Sequence, residues 1–200
     1  MAKRTYNSPV RARSARETHD AVLQAARELF AEQGYARTTI AAVAARAGVA
    51  VNTVYTSVGG KPALIEELTR SSTSDDLIER AVADMLAMTD GRAILGRLAE
   101  TTGSTMQRHE QLIRVLLDNA ASDPAVADAA ELSVRRYRHR LELIAAHLVE
   151  LEAVREGSER TAEILWFFFG TSAWTVLTEV GWPHEEAAAW LATQAAAALL

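Results

Sequence analysis

Residues 38–57 read TTIAAVAARAGVAVNTVYTS, and the fold turns on how this stretch is punctuated. Ile40, Val43, Ala44 and Ala47 recur at the three- and four-residue spacing of one helical face. Thr39 stands just before them, with a hydroxyl able to accept a free backbone N–H at the helix start. Ala47-Gly48-Val49 then breaks the pattern, because Gly48 allows the positive φ that a sharp reversal needs. Val51–Ser57 reads as another short helix, ended by Gly59-Gly60. Two short helices joined by a tight turn are helix-turn-helix geometry.

The neighbouring sequence completes a three-helix head. Val22, Ala25, Ala26, Leu29 and Phe30 fall on one face of an amphipathic helix. Ser14-Ala15-Arg16-Glu17 matches a capping box at its start, and Gly34 suits its end. Residues 1–13 are polar, basic and carry Pro9, so they read as a disordered arm. Downstream, Lys61-Pro62 opens a fourth helix to about Ala87, with a candidate interruption at Ser71–Ser74. Asp90 starts a fifth that reaches Gln107, and a sixth ends near Ala120. Asp123-Pro124 opens a seventh to about Val154, Ser158–Val180 an eighth, and Gly181-Trp182-Pro183 turns into a ninth. No stretch alternates with period two. The expectation is an all-α chain of about nine helices: an arm over 1–13, a helix-turn-helix head over 14–60, and a helical-bundle body over 61–200.

Charge separates the same two regions. Residues 1–61 hold nine Lys/Arg against four Asp/Glu, a net +5, which leaves −10 for residues 62–200 in a chain of net charge −5. A basic head on an acidic body concentrates phosphate attraction at one end; ordinary surface scatter is the alternative. The basic arm, Lys3 to Arg16, has no acid and suits a minor groove, or is a plain tail. The chain has no cysteine, which removes disulfides, thiolate zinc sites and cysteine nucleophiles and fits a reducing cytoplasm. The N-terminus lacks the apolar core of a secretory signal. The longest uncharged apolar run, Ile164–Thr178, is short for a membrane span and reads as a buried helix. The five histidines fall in no HExxH motif, and neither GxSxG nor a Gly-rich phosphate loop occurs. An enzyme, a metal site and a cofactor are therefore not expected.

In helix-turn-helix proteins the helix after the turn offers its exposed face to base edges in the major groove. Here Val54 is expected inward against Phe30 and Val43, leaving Val51, Asn52, Thr53 and Thr56 outward. Asn52 has the geometry to pair with adenine N6 and N7. Val51 and the Thr53 methyl suit a thymine methyl, and threonine hydroxyls donate or accept. Tyr55, Thr39, Lys61 and Arg46 are candidate phosphate contacts, the first by its hydroxyl and Thr39 and Lys61 by standing at helix N-termini. Plainer readings stand beside these: Tyr55 as half-buried core, Lys61 and Arg46 as solvated charges, Asn52 and Thr53 as solvent-facing polar residues.

The run Ala25-Ala26-Arg27-Glu28-Leu29-Phe30-Ala31-Glu32-Gln33-Gly34-Tyr35, followed by Thr38-Thr39-Ile40, Val43-Ala44, Ala47-Gly48-Val49, Thr53-Val54-Tyr55 and Gly60-Lys61-Pro62-Ala63-Leu64, resembles the TetR family of one-component regulators. The likeness is close over residues 14–68. Gly181-Trp182-Pro183 with Trp190-Leu191 resembles the ending of some actinobacterial members. The resemblance implies a homodimer on double-stranded palindromic operator DNA, an effector pocket in the body, and repression relieved by a small molecule. Activation, or control without a ligand, is the alternative. It also implies phosphate contacts from Thr39, Tyr55 and Lys61 and base contacts from Val51, Asn52, Thr53 and Thr56. The chain departs from the family in having Ser57-Val58 where His-Phe is common and Ala50 where Ser is common, the latter removing a cap of about 1 kcal/mol. A helical interaction protein whose head no longer binds DNA is the third reading.

In the body, Ile164-Leu165-Trp166-Phe167-Phe168-Phe169 is apolar around the whole helix and needs cover on several sides. With the Ala-rich last helix it suits a four-helix bundle between two copies. Phe167, Trp174, Leu177, Trp190, Leu191 and Ala195 are the expected interface residues. Candidate effector contacts are Met85, Met88, Met106, Leu116, Leu117, Trp166 and Phe168, with His109, Tyr137 and His147 as polar anchors; plain core or surface is the alternative for each.

Overall fold

The computed structural model describes residues 9–73 and 76–200 and contains, among them, ten α-helices. They are α1 (Pro9–Gln33), α2 (Ile40–Ala47), α3 (Val51–Ser57), α4 (Lys61–Thr73), α5 (Asp76–Ala87), α6 (Gly91–Asn119), α7 (Pro124–Glu150), α8 (Ser158–Phe169), α9 (Thr171–Glu179) and α10 (His184–Leu199). No strand occurs among the described residues. No described helix is long and apolar enough to cross a membrane.

The chain divides into two compact units. One comprises residues up to Arg70 together with Gln111–Ala130, and the other comprises Ser71–Glu110 with Glu131–Leu200. A head ending at residue 60 is therefore too short. Leu64, Ile65 and Leu68 of α4 and Leu112, Val115 and Leu116 of α6 join Val22, Phe30, Val43 and Val54 in a single core. Three short helices cannot bury enough apolar surface alone, and the added helical turns close that core.

The head follows its local signals closely. The Thr39 side chain accepts the Ala42 N–H at the start of α2. Gly48 ends it in the left-handed conformation, φ 69° and ψ 29°. Thr38, 2% exposed, ties the α1–α2 corner together. Its hydroxyl is shared between the Leu29 carbonyl at 3.3 Å and the Gly34 carbonyl at 2.9 Å, and it accepts from Gln33 Nε2 at 3.3 Å. The start of α1 differs from expectation. The helix is already formed at Pro9, so Ser14 and Glu17 lie inside it and form no capping box, while Glu17 pairs with Arg13. The rest of the expected arm, residues 1–8, lies outside the described residues.

In the body the aspartate caps are as read: Asp90 Oδ1 accepts from Arg92 and Ala93, and Asp123 Oδ1 accepts from Ala125 and Val126. The expected fourth helix is described as α4 and α5, on either side of residues 74–75 and close to the candidate interruption. α6 carries a kink at His109 (φ −112°, ψ 15°), two residues beyond the expected end of the fifth helix. One connection differs. The expected eighth is broken into α8 and α9 at Gly170, an extended residue at φ −66° and ψ 158°. The body core gathers Leu95, Leu98, Leu141, Ile144, Leu165, Phe169, Trp174 and Leu191 among others. His147 Nε2 closes the α5–α6 connection on the Met88 carbonyl at 2.8 Å, and Arg140 joins α7 to Glu79 of α5.

Thr38→Val keeps the shape of the corner but removes its hydroxyl. The expected cost is about 1–3 kcal/mol, read from urea unfolding; an unchanged midpoint would show that the corner does not need these bonds.

Candidate nucleic-acid interface

The turn at Gly48 sets α3 against α1 and α2, and a single side chain fixes its rotation. Val54 has no exposed surface and shares the head core with Phe30 and Val43. With period 3.6 that inward point leaves the opposite arc free. Val51 is 43% exposed and Tyr55 53%. Asn52 and Thr56 are exposed and Thr53 is half-buried. The four expected base readers thus share one helix, although Thr56 bonds back to the Asn52 and Thr53 carbonyls, which occupies its proton and leaves it an acceptor. Ala50 caps α3 without a side-chain bond.

The expected phosphate contacts divide. Thr39 is exposed, and its oxygen already accepts the Ala42 N–H, so its remaining capacity is mainly the hydroxyl proton. Tyr55 stands free on the surface. Lys61 is drawn inward: its Nζ donates to the Ala36 carbonyl at 3.1 Å and lies 4.0 Å from the centre of the Tyr35 ring. Burial lowers the Lys61 pKa, while the nearby Asp123 carboxylate opposes that shift. Burial and Asp123 also push the Tyr35 hydroxyl up to about 12. Tyr35, Lys61 and Asp123 therefore form a local cluster that joins three segments of the head.

Arg46 requires a correction. Its guanidinium reaches back to α1, with Nη1 at 3.2 Å from Glu28, and makes a two-pronged pair with Glu32 at 2.9 and 2.7 Å. The spacing that places Arg46 on the outer face of α2 also brings it over two carboxylates one helical turn apart on α1. These bonds raise the Arg46 pKa further. Glu32 is lowered chiefly by its bond with Arg46 and Glu28 chiefly by its bond with Gln24, with Arg46 next. Arg46 is an internal tie between helices, its guanidinium engaged by carboxylates and not held out toward a phosphate as expected. Arg11, Arg13, Arg16 and Arg37 are exposed.

Among the effector candidates, Met85 is core, and Met88, Met106, Tyr137, Trp166 and Phe168 pack against the same body core. His109 sits at the irregular residue of α6. Leu116 and Leu117 both belong to the other unit, where Leu116 is buried in the head core and Leu117 is 56% exposed. Tyr137 is not free to anchor a ligand, because its hydroxyl donates to the Phe169 carbonyl and sits 3.0 Å from Thr102 Oγ1. His147 is likewise engaged. The Arg138 guanidinium, which the sequence reading passed over, lies 4.6 Å from the centre of the Trp166 ring.

The interface candidates also divide. Phe167 is 72% exposed and Trp190 42%, and Leu177 is half-buried. Trp174, Leu191 and Ala195 are buried in the chain's own core, although Leu191 also lines the groove beside Phe167. In an unbroken helix Phe167 and Trp174, seven residues apart, would share a face. The break at Gly170 turns Trp174 inward, where it stacks on His184. It brings out Val176 and Val180 instead, 58% and 67% exposed, residues the sequence reading did not single out. An open, mostly apolar groove of about 670 Å³ runs between α8, α9 and α10, with Phe167, Phe168, Val176, Leu177 and Trp190 along it.

Residues 22–68 match the family described as bacterial regulatory proteins, tetR family. Solved structures share the fold over nearly the whole chain. A Mesorhizobium loti protein assigned to the TetR-family transcriptional regulators is 23% identical, with TM-score 0.72, covering 92% of this chain and 93% of that one. The regulator FadR of Bacillus subtilis, in complex with stearoyl-CoA, is 18% identical, with TM-score 0.74, covering 89% and 97%. A Saccharomonospora viridis protein described as a transcriptional regulator, in complex with choline, is 19% identical, with TM-score 0.69, covering 88% and 94%. No curated protein matches the chain at a significant level.

The Arg46 tie has a pH signature. Carboxylates lowered in the fold contribute stability that is full above their ordinary range and lost as pH falls through their lowered values. Arg46→Ala is expected to raise the Glu32 midpoint toward 4.5, followed by carboxyl-carbon NMR. A Glu32 titration identical in the two proteins would contradict the tie.

Proposed function

We propose that the chain is a sequence-specific DNA-binding transcriptional regulator, acting in the cytoplasm as a homodimer on palindromic double-stranded DNA. The observation that carries this reading is the seating of α3. Its one large inward side chain is fully buried, and Val51, Asn52, Tyr55 and Thr56 project from the surface. Short polar and methyl-bearing groups on a two-turn helix match the width and chemistry of a major groove. The likeness of residues 22–68 to the tetR family supports the same role. By analogy with that family, Thr39, Tyr55 and Lys61 position the head on phosphates while Val51, Asn52, Thr53 and Thr56 read bases. Lys61 would do so with the protons left over from its bond to Ala36.

Repression relieved by a small molecule is the form of control we assign. Its support is the apolar body, with Met88, Met106, Trp166 and Phe168 around one core, together with the complexes of similar folds with stearoyl-CoA and with choline. The effector class is an apolar or amphipathic molecule. The Gly181-Trp182-Pro183 and Trp190-Leu191 ending supports a place among actinobacterial-type members.

Self-association is assigned to the α8–α10 face. An exposed Phe167 beside an apolar groove gives that face a knob and a hole together, which is what a two-fold contact between identical surfaces needs. Exposed apolar side chains concentrated on one face are also costly to leave in water.

A gel shift on the DNA flanking the chain's own gene tests the function: a salt-sensitive specific shift is expected, and failure to discriminate that DNA from random duplex would reject the reading. A reporter with and without the protein gives the sign of control. Asn52→Ala should cost about 1–3 kcal/mol at one base position; an equal loss on random duplex would remove the base-reading role. Phe167→Glu should yield monomers in sedimentation, and a dimer that survives it would place the contact elsewhere.

A further inference from the structure

The α8–α9 corner combines three features that bear on the face assigned to self-association. First, Gly170 cannot carry a side chain there. A Cβ would collide with the Trp166 carbonyl oxygen and press on the Trp166 ring, while the Gly170 N–H bonds to that same carbonyl at 2.8 Å. Second, the last carbonyls of a helix have no intrahelical donor. That of Phe169 takes its hydrogen bond from the Tyr137 hydroxyl of α7 at 3.0 Å. Because Tyr137 spends its one proton on Phe169, Thr102 of α6 is the donor across the 3.0 Å contact between the two hydroxyls. Third, the corner decides which side chains are on the surface. Phe169 and Trp174 on its two sides are 0% and 1% exposed, whereas Phe167 and Val176 are 72% and 58% exposed.

We propose that Tyr137 and Gly170 build this corner and thereby aim α9, setting the shape of the face on which two copies of the chain associate. The inference rests on the self-association assigned above. Tyr137 is a positioning residue: it does not belong to the groove, and it acts on the groove through the Phe169 carbonyl. Without its hydroxyl that carbonyl loses its partner in a poorly hydrated site, and the corner is free to open toward the continuous helix that the apolar sequence favours. Continuity would carry Val176 away from Phe167 and Trp174 toward the surface. Thr102 holds the Tyr137 oxygen in line, so the geometry of α6 and α7 reaches the association face through two hydrogen bonds.

The test is sedimentation equilibrium of the full chain as wild type, Tyr137→Phe, Gly170→Ala and Thr161→Val. The last is the control: Thr161 is fully buried near the other end of α8, and its hydroxyl bonds the Glu156 carbonyl. It loses a buried hydroxyl from the same helix without touching the corner. Tyr137→Phe should retain the helical circular dichroism of the wild type and associate about tenfold more weakly, with Thr161→Val near wild type. Gly170→Ala should be affected at least as strongly, and if it fails to fold Tyr137→Phe still decides. Wild-type association in Tyr137→Phe, or equal weakening in Thr161→Val, would overturn the corner's role while leaving the dimer in place. A wild-type chain that stays monomeric at every concentration would remove the self-association reading and this inference with it.

Discussion

Val54 buries its whole side chain between the helices of the head, and every other property of α3 follows from that contact. A seven-residue helix is too short to persist by its own hydrogen bonds, and α3 also lacks a side-chain cap at Ala50. Its order comes from tertiary packing on Phe30 and Val43. The same contact fixes its rotation, because one buried position in a helix this short determines which residues face out. The corner before α2 holds the platform in place. Thr38 and Gly48 set the two turns, and Leu64, Ile65 and Leu68 with the α6 leucines close the core from beneath. The exposed residues Val51, Asn52, Tyr55 and Thr56 are thus presented in a fixed orientation by a contact that none of them makes.

Charge in the head is used in two ways. Arg46 is committed to Glu28 and Glu32, and Lys61 is partly committed to Ala36 and the Tyr35 ring. Such ties between exposed groups contribute modestly to stability, but they orient helices. Of the other head cations, Arg13 is paired with Glu17 and Arg37 donates to the Gln33 carbonyl, while Arg11 and Arg16 of α1 are exposed. Counting cations along the sequence therefore identifies the basic end of the chain without identifying which cations are available to a phosphate.

The head was legible because its signals are local. Thr39, Gly34 and Gly48 act within a turn of their own positions, and the apolar face of α1 repeats over two turns. The aspartate caps at Asp90 and Asp123 were legible for the same reason. The body was harder. Gly170 breaks an apolar run with no charge or proline beside it, only the uncharged Thr171-Ser172 that follow, and what makes glycine necessary is the Trp166 carbonyl four residues back. Reading straight through that point put Trp174 beside Phe167 on the expected interface and left Val176 and Val180 unremarked. Of the adjacent candidates Leu116 and Leu117, the register of α6 buries the first in the head core and exposes the second. Arg46 failed because its partners lie 14 and 18 residues upstream, although Glu28 and Glu32 sit one turn apart and so offered a paired acceptor that the sequence does display. The polar anchors Tyr137 and His147 were located on the right helix, but their partners are backbone carbonyls from distant segments, which no local pattern encodes.

The central claim is that the outward arc of α3 is the surface that meets DNA. Backbone amide chemical-shift mapping of the protein titrated with the duplex flanking its own gene tests it most directly. The largest saturable shifts are expected on Val51, Asn52, Thr53, Tyr55 and Thr56, with smaller ones at Thr39 and Lys61 and little change at Val54 or Arg46. Saturable shifts that leave α3 untouched and gather on another surface would contradict it.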